Sequence, residues 1–232
     1  MYKFNWILIA ILCFVSSCKN EDIPDKITKT FSYDFENDLQ GWIGIFADYP
    51  EGEDLFYEIQ ISHEALPEPL DNTQHAIMIS GNNHSDDLFM GLLKKIDGLS
   101  PNTIYYITFN LTIASNAPQN SFGIGGSPGA SVYLKVGATS LKPELDIDDQ
   151  QWLRLNIDKG NQASEGTDMI NIGTAGTPLE EFVYTIIMRS NMDEPFKISS
   201  NDNGEVWLLV GSDSGFEGST TLYYDRIEVM LL

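Results

Sequence analysis

The sequence predicts an all-β sandwich, and three observations carry that prediction. About eleven short runs rich in β-branched and aromatic residues follow one another between Phe31 and Val229. Glycine, proline, asparagine and aspartate cluster between these runs, where left-handed or fixed backbone angles are needed. No stretch of roughly a dozen residues places apolar side chains at helical spacing. With 42% apolar and 11% aromatic residues in 232, the chain is too apolar for intrinsic disorder and long enough to bury a core without disulfides.

The predicted strands, in order, are 31–35, 42–46, 56–61, 76–80, 88–96, 104–113, 132–136, 152–157, 182–188, 206–210 and 222–229. The run from Ile104 to Ile113 largely alternates apolar and polar residues, as a strand with one buried face does. Turn signals fill 98–102, 114–129, 173–178 and 201–204. There is no internal repeat and no low-complexity linker, so 31–232 reads as one domain.

The first residues read as an address. Lys3 precedes an apolar run over 6–15, too short for a bilayer span of ~20 residues but right for a secretory signal. Val15-Ser16-Ser17-Cys18 resembles the bacterial lipobox. That resemblance implies removal of 1–17 and lipidation of Cys18, which anchors the chain to a membrane through acyl chains. An ordinary signal peptide or a short anchor is the other reading. Cys13 leaves with the signal, so no thiol remains for catalysis, metal or disulfide. Lys19-Asn20-Glu21-Asp22 resembles the surface-export signal of Bacteroidota lipoproteins, which implies an outer-membrane protein exposed on the cell surface; a periplasmic orientation is the alternative. Residues 18–30 are polar and aperiodic and read as a lipidated terminus and tether.

The chain carries 34 acidic and 13 basic residues, a formal net charge of −21. So few scattered cations cannot build a phosphate-binding face, which excludes nucleic acid as a partner. The same balance suits divalent cations.

The two ends of the domain carry a resemblance. Phe31-Ser32-Tyr33-Asp34-Phe35-Glu36-Asn37-Asp38-Leu39-Gln40-Gly41-Trp42 resembles the opening strand and turn of carbohydrate-binding jelly rolls of the galactose-binding-like kind. Tyr223-Tyr224-Asp225-Arg226-Ile227-Glu228-Val229 resembles their closing strand. The resemblance implies a jelly-roll β-sandwich with a structural calcium held in part by Glu36 and Asp225. Such an ion needs several hard oxygen ligands, and only these two map. The middle of the chain maps onto no such family.

Gly125-Gly126-Ser127-Pro128-Gly129 has the spacing of a nucleophile elbow, but a glycine-rich loop precedes it and a strand follows, where the elbow needs a strand and then a helix. Gly123-Ile124-Gly125-Gly126 lacks the Lys-Ser/Thr and helix of a phosphate loop. Asn201-Asp202-Asn203-Gly204-Glu205 fails as an EF-hand, since the twelfth position falls on Val210, and reads as a turn between strands. His63, His75 and His84 lack metal-ligand spacing. Trp42 and Trp207 are expected in the core. The densest polar cluster lies in 82–87. Asn82, Asn83, His84, Asp86 and Asp87 are the candidate ligand-binding residues, with Tyr49 and Tyr57, flanking an acidic loop, as exposed aromatic platforms. The expected function is non-catalytic binding of an extracellular carbohydrate. A glycoside hydrolase or lyase on the same fold, and an adhesion lipoprotein that contacts protein, are the alternatives.

Overall fold

The computed structural model describes residues 29–232, and in them every regular element is a strand. In chain order these are β1 (Lys29–Tyr33), β2 (Ile43–Ala47), β3 (Tyr49–Pro50), β4 (Gln60–Ala65), β5 (His75–Asn82), β6 (Leu88–Ile96), β7 (Ile104–Ser115), β8 (Val132–Thr139), β9 (Leu145–Ile147), β10 (Trp152–Leu155), β11 (Met169–Thr174), β12 (Thr185–Ser190), β13 (Phe196–Ser199), β14 (Val206–Ser214) and β15 (Ser219–Leu231). The expected leader over 1–17, the expected lipidation site Cys18 and the expected tether as far as residue 28 lie outside the described residues. Lys29 and Thr30 belong to β1, ahead of Phe31, where the first strand was expected to begin.

Two antiparallel sheets pack face to face as a jelly-roll sandwich. One runs β12-β7-β15-β5-β4, with β1 added along β15 and β13 along β7. The other runs β11-β8-β14-β6-β2. Strict alternation assigns the faces. On β14, Val206, Leu208 and Val210 point into the core between the sheets, while Trp207 and Leu209 point out. Phe35, Trp42, Phe109 and Tyr224 fill the core, and Tyr33 meets Trp42 edge to face at 5.3 Å.

A third layer covers the outer face of the five-stranded sheet. The small sheet β3-β10-β9 and the strap over 156–168 lie on it. Leu155 and Ile157 pack there against Ile45, Ala47, Phe89, Leu93 and Leu209. Gly137 makes the close approach possible: a Cβ at that position would sit 1.9 Å from the Asp168 carbonyl oxygen of the strap.

Four strands were not legible in the sequence. β3 and β9 are two and three residues long, too short for periodicity. β11 and β13 do alternate, but Gly, Asn, Ser and Asp within or around them imitate loop composition. The strand expected over 56–61 is displaced to β4, because 53–58 forms a turn in which the Tyr57 amide donates to the Glu53 carbonyl at 2.9 Å.

Gly137→Ala forces the strap off the sheet. The expected cost is about 2 kcal/mol, which lowers Tm by roughly 5 °C in a thermal melt. An unchanged Tm would show that the strap yields freely.

Candidate functional site

The 82–87 loop joins β5 to β6 at one end of the sandwich, and its side chains divide between structure and surface. Asn83 is buried and donates to the carbonyls of Ser214 at 2.9 Å and Phe216 at 3.1 Å. Its side-chain oxygen Oδ1 accepts the Ser85 amide. It therefore splices the loop to the end of β14. Asn82 lies at the surface and donates to Glu58 at 3.2 Å. Asp86 takes a left-handed backbone angle, φ 63°, and its carbonyl accepts the Gln162 side-chain amide at 2.7 Å.

Tyr49 and Tyr57 correct an expectation. Both are buried, at 2% and 4% exposure, so neither ring is a platform. They face the core because the 51–58 turn folds back and carries them inward. Tyr49 donates to Asp54 at 2.7 Å and packs 5.2 Å from Tyr57. Burial, then the Asp54 carboxylate, pushes the Tyr49 hydroxyl up from its ordinary pKa. The exposed ring is Phe56, 57% accessible, stacked on His84 at 4.2 Å and 24°. Tyr57 supports both from beneath, at 5.7 and 5.4 Å. Sequence reasoning missed Phe56 because the 56–61 run read as a strand.

Asp87 belongs to a buried ion network. Its carboxylate, with Asp48 and Asp213, forms the one trio among the described residues whose ligand atoms all lie within 4.8 Å. Two amines fill that space. Lys159 lies 2.9 Å from both Asp48 and Asp213, and Lys135 lies 3.2 Å from Asp213. Arg154 pairs with Asp48 at 2.7 Å and Asp148 at 3.0 Å. The Lys135 ammonium also donates to the strap carbonyls of Lys159 and Ser164. The ammonium groups already supply the charge that a divalent cation would bring, so this trio does not fit a metal. Burial, then the Asp213 and Asp48 carboxylates, pushes the Asp87 carboxyl up to about 7.

Asp225 lies close enough to Glu36 and Asp34 for their carboxylates to act on it. Asp225 sits at a register shift between β15 and β7, which turns it toward the end of β1. Burial raises its pKa; Arg226 opposes the rise, and Glu36 and Asp34 add to it. Glu36 accepts the His75 amide at 3.3 Å, and Asp34 accepts the Gln40 side chain at 2.9 Å. The Phe35 carbonyl between them meets the His63 ring nitrogen at 2.6 Å.

Ser127 is committed to its own loop. Its hydroxyl oxygen accepts the Gly129 and Ala130 amides at 3.2 and 3.1 Å and donates to the Gln119 carbonyl, an arrangement without a general base. Asn201 closes the β13–β14 turn by accepting the amides of Asn203 and Glu205.

No family model matches this chain. No curated protein matches it either. Solved structures do. The K1 cleaved adhesin domain of Lys-gingipain from Porphyromonas gingivalis W83 aligns over 87% of this chain and 97% of its own, at 12% identity and a TM-score of 0.42. The carbohydrate-binding module TmCBM27, described for specific mannan recognition, aligns over 88% and 98%, at 10% identity and a TM-score of 0.38. The enzymatically active domain of bacteriophage CBA120 tailspike protein 4 aligns over 84% of this chain, at 11% identity and a TM-score of 0.36, and the chain spans only 20% of that protein's length.

Asp87→Asn tests the ion network. The Asp87 carboxyl titrates near 7 in the fold, against about 4 in an unfolded chain. The folded state therefore holds the proton more tightly, and the resulting stability, complete below about pH 4, is lost as pH rises through about 7. The asparagine keeps a neutral donor at every pH. At pH 8 the variant should melt roughly 4 °C above the parent, on the order of 1 kcal/mol, and the gap should close by about pH 4. Equal melting at pH 8 would refute the raised Asp87 pKa.

Proposed function

We propose that this chain is a lipid-anchored outer-membrane protein, displayed on the cell surface, that binds an extracellular carbohydrate without catalysis. The observation that carries this reading is the Phe56–His84 stack, with Asn82 and Glu58 hydrogen-bonded to each other nearby. Sugar C–H faces pack on exposed rings, and sugar hydroxyls bond to amide and carboxylate groups at the edge. Tyr57 and Tyr49 hold the stack in place from the core, so little ordering is lost on binding. Asp87 serves structure rather than acid catalysis, since it faces Asp213, Asp48 and Lys159. Anchoring rests on the lipobox-like Cys18, and surface display on the acidic residues after it.

Glu36 and Asp225 fit as two oxygen ligands of a calcium ion. The Asp225 carboxylate is partly buried beside two other carboxylates and accepts no side-chain hydrogen bond among the described residues. A bound cation would offset that repulsion and brace β1 against β15.

The test is a glycan array probed with the full-length chain, in calcium and again in EDTA. Selective binding, reduced about tenfold by Phe56→Ala, is the expected result. A blank array would overturn carbohydrate binding. Binding indifferent to EDTA would remove the calcium and leave the sugar.

A further inference from the structure

The glycine-rich loop rejected as catalytic has a different use. It presents Phe122 at 99% exposure, an arrangement that costs free energy unless something covers the ring. The loop is built for close approach. A Cβ on Gly123 would lie 2.4 Å from the Phe216 ring, so the loop lies flat on that ring only because residue 123 has no side chain. The Glu217 amide donates to the Ile124 carbonyl at 2.9 Å and pins the loop to the start of β15.

A second wall faces it. Gln119 donates to the Thr177 carbonyl at 3.0 Å, and Thr177 donates back to Ala117 at 2.8 Å. These bonds fix the 175–182 loop, which carries Phe182 at 61% exposure. Between Phe122 and Phe182 lies a cavity of about 240 Å³, floored by hydroxyl-bearing residues of β15 such as Thr220 and Thr221. Asn116 lines it with a side-chain amide that makes no hydrogen bond among the described residues. Every residue lining the cavity is uncharged, in a chain of net charge −21.

We infer that this groove is a second binding site, separate from the Phe56–His84 platform, and that its ligand is a single neutral pyranose. Two rings offer apolar faces to the C–H groups of a sugar, and the amide and hydroxyls meet its polar rim. The cavity suits one ring rather than a polymer. An anionic sugar would find no cation in the lining and would be repelled by the net charge.

Saturation-transfer difference NMR tests this with D-galactose, D-glucose, D-mannose and D-galacturonate. The full-length protein is held in a sugar-free polyoxyethylene detergent. Every sample carries Phe56→Ala, so failure of the platform reading leaves the outcome unaffected. At least one neutral hexose should show saturated ring C–H protons. Phe122→Ala and Phe182→Ala should each weaken that signal about fivefold, and Phe122→Tyr should retain it. Both alanine sites are exposed, so loss of signal will not reflect unfolding. Three results would each overturn the inference: no signal from any neutral hexose, signals unchanged by the alanine variants, or galacturonate saturating as strongly as the neutral sugars.

Discussion

The register of β14 is the constraint on which the other layers depend. Its inward residues, Val206, Leu208 and Val210, complete the core, while Leu209 and Asp213 face the covering strap. A slip of one residue against β8 or β6 would exchange the two sets and drive the Asp213 carboxylate into the apolar interior. Desolvating an unpaired carboxylate there is costly enough to exclude that register. With the register fixed, Asp213 meets Lys135 and Lys159, and Gln162 is drawn down onto it at 2.8 Å. The strap then holds Asp86 through Gln162, which places the 82–87 loop.

Much of the fold was legible and much of the site was not, for one physical reason. Strand 88–96 matches β6 at both ends, because a long apolar run bounded by turn residues declares its own limits. Trp42 was placed correctly in the core, whereas Trp207, expected there too, points out from β14 onto the outer face. The 201–204 turn was also read correctly, because Asn and Gly act locally there. Residues whose roles depend on distant partners were hidden. Lys135 sits in an ordinary alternating strand, and only the fold brings Asp213 and Lys159 to it. Phe122 lay at the head of a glycine-rich loop, where composition signals a loop and says nothing about what the loop displays. Tyr49 and Tyr57 looked exposed because their neighbours are acidic, yet the turn between them folds both rings inward.

Both aromatic surfaces lie at the same end of the sandwich. Asn82, beside the Phe56–His84 stack, pairs with Ser219, which lines the Phe122–Phe182 groove. The 214–218 segment separates them and is bound from both sides, by Asn83 and by Ile124. Loops supply the display, and the two sheets supply the rigidity behind it.

The opposite end of β15 has a mechanical consequence. Lys29 pairs with Leu231 there, at the far end of that strand from Ser219. Tension between a membrane anchor before Lys29 and a ligand held at the loop end would run parallel to the strands. The β1–β15 pairing, from Lys29↔Leu231 to Tyr33↔Ile227, would then carry the load in shear, with all its hydrogen bonds strained together rather than opened one by one. Under the proposed anchoring, a pull by flow or by a large polymer would not unravel the chain from residue 29, because the first strand would have to slide free as a unit.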